Sequence, residues 1–224
     1  MHKYIRMHFL SHFYTELPLN NPLFVAALAI PDLTPGFSKI YNSTIKGMQI
    51  PANARLAEVH KGILAHYEGD KRFHNSDPFM QQQHAFTQSF IAAGLNRQRL
   101  RLSVLAHIAV EMMLDRQILL QDGSICSRFY EIVDNADVDV LQNYFDSLSL
   151  EEQKQVFLER FRFFKQRRFL FLFDDIDNIV FGLNRVYGSV TKTEFSVEEK
   201  RQFAVALHNM DVVLRYSWQE LLKV

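Results

Sequence analysis

Two short runs of this sequence carry histidines and carboxylates at helical spacing. The first is His66-Tyr67-Glu68-Gly69-Asp70-Lys71-Arg72-Phe73-His74, with His66, Asp70 and His74 four residues apart. The second is His107-Ile108-Ala109-Val110-Glu111-Met112-Met113-Leu114-Asp115, where His107, Glu111 and Asp115 repeat that spacing. Residues four apart lie one turn apart on one helix face, so a His and a carboxylate there can grip a single ion. Imidazole with carboxylate suits zinc, iron or manganese better than calcium. The second run lies in the most apolar stretch of the chain, where a carboxylate needs a partner because burying an unpaired charge is costly. A metal ion would be such a partner. So would an arginine, and a buried ion-pair network is the alternative reading of His107 and Glu111. For the first run the alternative is a solvated polar face shared with Glu68, Lys71 and Arg72.

Two further candidates are His12, in an apolar N-terminal segment, and Asp32, which follows an apolar helix and precedes Leu33-Thr34-Pro35-Gly36. A satisfied core or surface histidine is the competing reading of His12, and an ordinary turn aspartate that of Asp32. Asp77 reads as the N-cap of a helix opened by Pro78, and Asp174, Asp175 and Asp177 as capping or solvated positions. There is no nucleophile elbow and no phosphate-cradling glycine loop.

These residues need long helices to hold them, and the chain has the composition for it. Its 224 residues contain only eight Gly and six Pro. Twenty Phe predict aromatic layers between helices. A chain of this length buries roughly 70% of its unfolded surface, so it needs neither disulfide nor structural metal to fold. Asn21-Pro22 predicts a helix start, ended by Pro31-Asp32. Helices are expected over 7–15, 53–74, 78–93, 97–121, 137–147, 150–188 (broken near 169–175) and 196–222. Gly94-Leu95-Asn96 reads as a turn. Ser149 with Gln153, and Ser196 with Glu199, read as N-terminal caps. The Phe169–Phe173 run is expected to be a buried helical turn. The expected fold is one all-α domain spanning 1–224, a bundle of about seven to ten helices.

The 25 Lys plus Arg balance 25 Asp plus Glu, which leaves no global field to draw in nucleic acid or an anionic membrane. Cys126 is the only cysteine, so a cysteine-rich zinc site is excluded and a reducing compartment is expected. Met1 to Tyr14 lacks the pattern of a signal peptide, and no apolar run is long enough for a membrane span. The expected location is cytoplasmic. Oligomeric state is not encoded in any of these features.

The opening Met7-His8-Phe9-Leu10-Ser11-His12 is similar to the Met-Asn-Phe-Leu-Ala-His start of bacterial acyl carrier protein phosphodiesterases, which belong to the helical His-Asp (HD) type of metal-dependent phosphohydrolases. The order that follows resembles them as well: Asp32 after an apolar helix, the His66-x3-Asp70 helix, then a helix with His107. The resemblance covers about the first 120 residues. It departs where those enzymes carry an adjacent Asp-His pair, since Ala106 precedes His107 here. The pattern is also similar to zinc-dependent phospholipases C, and the whole chain looks closest to an uncharacterised bacterial group related to these enzymes.

Residues and resemblance together lead to one expectation: a metal-dependent phosphoester hydrolase. His12, Asp32, His66, Asp70, His74, His107 and Glu111 would hold one or two divalent ions (Zn, Fe or Mn). Asp70 or Glu111 would take the proton of the attacking water, and Lys71, Arg72 or Arg116 would neutralise the substrate phosphate. The resemblance points to acyl carrier protein as the substrate to try. The alternative is a non-catalytic helical scaffold or partner-binding protein built around a buried polar network.

Overall fold

The computed structural model describes residues 9–223, apart from the side chain of Val190. Positions 7 and 8 of the expected first helix, and the motif residues Met7 and His8, lie outside the described residues. In chain order the helices are α1 (Phe9–Thr15), α2 (Pro22–Leu28), α3 (Ile30–Leu33), α4 (Phe37–Ser43), α5 (Ala54–His74), α6 (Asp77–Ala92) and α7 (Leu102–Gln121). They continue as α8 (Gly123–Asp134), α9 (Val138–Ser147), α10 (Glu151–Arg167), α11 (Ile176–Thr191) and α12 (Val197–Ser217). Three 3-10 turns, Ile45–Gly47, Phe169–Asp174 and Trp218–Leu222, complete the set, and there is no strand among the described residues. The chain is all-α, with more helices than expected. The excess comes from short pieces: Ile30-Pro31 and Gly36 divide the region after α2, and α8 follows α7 almost without a break.

The caps explain most boundaries. Asn21 Oδ1 accepts the Leu23 and Phe24 amides at 3.0 and 3.4 Å. Ser196 and Glu199 form the expected capping box. α6 is capped by Ser76, whose hydroxyl accepts the Phe79 amide at 3.3 Å, so Asp77 is its first helical residue and not its cap. Ser149 does not cap α10. It adopts a left-handed backbone (φ 54°) just beyond α9. Its amide donates to Asp146 and that of Leu150 donates to Phe145, the paired bonds that close a helix C-terminus. Gly94 (φ 91°) ends α6 the same way, without a Cβ penalty. α7 starts at Leu102 and not near 97, because the Asn96 side chain accepts the Gln98 amide and holds a turn there. The Phe169–Asp174 segment is helical as expected, but it is buried only at Leu170 and Phe173, and Leu172 is 51% exposed.

The described residues divide into two compact units. The first holds residues 9–11, 71–123 and 170–223; the second holds 12–70 and 124–169. In the first unit α7 is the central element, buried nearly all round between Leu102 and Leu119, with α6, α11 and α12 packed on it. The second unit is layered with phenylalanine. Phe145, Phe157 and Phe161 stack in sequence at 5.2 and 5.1 Å, and Phe129 lies 5.4 Å from Phe13 and 6.0 Å from Phe164.

Two glycines let α5 take close neighbours in that second unit. A Cβ on Gly62 would lie 2.4 Å from the Phe24 carbonyl oxygen and 2.7 Å from Ala27 Cβ, so α2 rests directly on the α5 backbone. A Cβ on Gly69 would lie 3.2 Å from His12 Nδ1. Isolated glycines in a helix of this length cost about 1 kcal/mol each relative to alanine, and here both have a packing reason.

Candidate metal centres

The second unit gathers His12 from α1, Asp32 from α3, and His66 and Asp70 from α5, all buried. His12 Nε2 stands 3.4 Å from Asp70 Oδ1, and His66 Nε2 stands 3.4 Å from Asp70 Oδ2. Asp32 Oδ1 lies 3.9 Å from His66 Nε2. The two imidazole rings are 4.3 Å apart at 32°. A good N–H···O bond spans about 2.7–3.2 Å, so these separations are long for hydrogen bonds. The two 3.4 Å separations are each close to the edge length of a metal coordination polyhedron, with the two imidazoles facing different oxygens of Asp70. Ligands about 2.1 Å from a tetrahedral ion are separated from one another by about 3.4 Å. The donors of His12, His66 and Asp70 all lie within 4.8 Å of one another, so they fit a single divalent ion. Gly69 eases the arrangement, because a Cβ there would stand 3.2 Å from His12 Nδ1 and press on the ring where it lies against α5.

The first unit gathers a different set. His74 is the last residue of α5, and α7 presents His107 and Glu111 one turn apart. His74 Nε2 is 2.8 Å from Glu111 Oε1, and His107 Nε2 is 3.2 Å from the same oxygen. The two rings stack at 4.6 Å and 27°. Phe79 places its edge against both, at 4.9 and 5.0 Å, and Phe73 lies against His74 at 5.3 Å. The Glu111 side chain is fully buried, while those of His74 and His107 are 13% and 24% exposed. These donors also lie within 4.8 Å of one another.

The chain matches no protein-family model, no curated protein and no solved structure. The candidate residues are therefore weighed on their geometry. Six of the seven expected ligands fall into two donor groups, His12, His66 and Asp70 in one and His74, His107 and Glu111 in the other, while Asp32 lies beside the first group, 3.9 Å from His66 Nε2, and outside its donor set.

The basic candidates are placed differently. Lys71 and Arg72 are exposed. Arg116 is buried and committed to other partners. Its Nε donates to Asp211 Oδ1 at 2.9 Å, and one terminal nitrogen donates to the carbonyls of Phe173 (2.8 Å) and Asp174. Gln117 donates to the same Asp211 oxygen at 2.6 Å. Burial pushes the Asp211 carboxyl up, but the Arg116 guanidinium and the Gln117 amide outweigh it and hold the group below the usual aspartate range. Arg116 is therefore a structural cation and does not fit the phosphate role expected of it.

Asp115, the third member of the α7 row, belongs to neither group. Its oxygens accept the amides of Leu10 (3.1 Å) and Ser11 (2.8 Å), in the first turn of α1. Burial pushes its carboxyl up to about 7, and the hydrogen bonds from the Ser11 and Leu10 amides offset only part of that. Asp175 caps α11, accepting the Asp177 amide at 2.9 Å. No helix among the described residues is long and apolar enough to cross a membrane.

Sequence reasoning did not find Gly62, Gly69 or Phe79. The glycines carry a signal, since both interrupt an otherwise continuous helical pattern. Phe79 carries none, because only the packing of α6 brings it to the two imidazoles.

Proposed function

We propose that this protein is a metal-dependent phosphoester hydrolase, with an ion held by His12, His66 and Asp70 and with Asp32 beside them. The observation that carries this reading is the pair of 3.4 Å separations from two imidazole nitrogens to the two oxygens of one buried carboxylate. The resemblance of the His66-x3-Asp70 helix, with His12 and Asp32 ahead of it, to the HD-type phosphohydrolases supports the same reaction class. A divalent ion bound there would lower the pKa of a bound water to about 7 and polarise a phosphoryl oxygen. His12 and His66 fix the position, and Asp70 supplies the negative charge between them. A carboxylate oxygen of Asp32 or Asp70 not engaged as a ligand accepts the proton of the attacking water.

The scaffold reading has one observation of its own. The Arg116–Asp211–Gln117 cluster is a buried polar network complete without any ion. The two readings separate in one experiment. Purified protein is assayed for metal content, then for hydrolysis of a panel of phosphomonoesters and phosphodiesters, with holo-acyl carrier protein among them, under Zn, Mn and Fe. Metal-dependent turnover lost in Asp70→Asn is the expected result. Turnover of simple esters without release of phosphopantetheine keeps the reaction class and removes that substrate. No turnover of any ester, from an Asp70→Asn variant and a wild type of equal stability, puts the scaffold ahead.

A further inference from the structure

We propose that His74, His107 and Glu111 form a second site for a first-row divalent ion such as Zn2+, with its own ligands and an open coordination position at the surface. Two imidazoles with one glutamate are a donor set that zinc takes when three protein ligands leave a fourth position for water. Both Nε2 atoms already converge on Glu111 Oε1, at 2.8 and 3.2 Å. Seating an ion needs these edges, now 2.8 and 3.2 Å, to open to about 3.4 Å, roughly 0.6 Å for His74 and roughly 0.2 Å for His107.

The rings are held for that task. Phe79 lies edge-on to both and Phe73 to His74, and both phenylalanines are buried. The rings stack at 4.6 Å and both Nε2 atoms face the same Glu111 oxygen, so the bite is preorganised by packing. Exposure sets the direction of the open vertex. The carboxylate side chain is fully buried, while the His74 and His107 side chains are 13% and 24% exposed. Glu111 lies deepest and the two imidazoles nearer the surface, so the open position is assigned to the imidazole side of the site. The same contacts would also suit a proton shared between the two histidines and Glu111, and the test must tell an ion from a proton.

The experiment is zinc uptake by equilibrium dialysis of wild type, His107→Ala and His66→Ala, each checked for helicity by circular dichroism. The expected result is two zinc ions per wild-type chain and one in each variant. Co2+ loaded into His66→Ala should then give visible absorption bands that shift when azide is added, as an open coordination position requires. Uptake equal in wild type and His107→Ala, with none in His66→Ala, overturns the second site and leaves the hydrolase site standing. Uptake abolished by His107→Ala and untouched by His66→Ala does the reverse. If His107→Ala loses helicity, His107→Gln replaces it, with loss of one zinc as the supporting result and unchanged uptake as the refuting one. Bands that ignore azide overturn the open position.

Discussion

Gly69→Ala is the sharpest test of the His12 site, because it separates the fold from the ion. The position lies inside α5, where alanine is better than glycine by about 1 kcal/mol. The added methyl meets a ring and not a backbone: it would stand 3.2 Å from His12 Nδ1 and 3.4 Å from Cε1. Comfortable contact needs about 3.5–4.0 Å, so the imidazole must withdraw by about 0.3–0.8 Å. Ligand distances tolerate about 0.2 Å. The variant is therefore expected to fold as well as wild type without metal, or slightly better, while its zinc affinity falls about 10–100-fold. That loss equals about 1.4–2.8 kcal/mol of metal-linked stabilisation.

The assay is thermal unfolding with chelator and across a zinc titration, paired with competition against a chromophoric chelator. Gly62→Ala is the contrast. Its methyl would meet the Phe24 carbonyl at 2.4 Å and Ala27 Cβ at 2.7 Å, neither of which is the end of a flexible chain. It should lose about 1–3 kcal/mol with or without metal. A Gly69→Ala protein that binds zinc as tightly as wild type would mean that His12 is not a ligand.

Two further outcomes follow from the buried carboxylates. Asp211→Ala leaves Arg116 buried without its counter-charge and should destabilise by about 3–5 kcal/mol in urea unfolding; a loss below about 1 kcal/mol would mean that water reaches the guanidinium. Asp115 titrates near 7 in the folded chain, whereas the unfolded chain releases that proton near its ordinary value of about 3.9. The stability it lends is full below about pH 4 and is lost as pH rises toward 7, by at most about 1.4 kcal/mol per pH unit. The stability difference between wild type and Asp115→Asn should fall across that window and level off above it. A flat difference would refute a protonated Asp115.

The all-α class and most helix boundaries were legible because they rest on local chemistry. Asn21-Pro22, the Ser196–Glu199 box and the periodicity of 53–74 act within a turn or two of themselves. α8 was legible too, but the expected helices passed it over. Its buried Cys126, Phe129, Tyr130 and Val133 fall at helical spacing, while Gly123 and the two serines beside it look like a break. What local pattern cannot reach is the choice of distant partner. Arg116 was named for its charge, and its use depends on Asp211 almost a hundred residues later. Ser149 has the residue type of an N-cap, yet the end of α9 needed a left-handed residue at that position and took it.

The same limit decides how the two four-residue rows divide. Four residues advance an α-helix by about 6 Å and turn it about 40° beyond a full circle; eight residues double both, to about 12 Å and 80°. A single ion held at about 2.1 Å cannot be shared across such a span. A His-x3-carboxylate-x3 row thus offers one biting pair and one residue that must find other company. On α5 the pair is His66 with Asp70, and His74 turns to Glu111. On α7 the pair is His107 with Glu111, and Asp115 turns to the amides of Leu10 and Ser11. Helix geometry thus separates the first position of each row from the third, but leaves the middle carboxylate equally near both. Which neighbour it joins is decided by tertiary partners: His12 stands beside Asp70, and the Leu10 and Ser11 amides take Asp115.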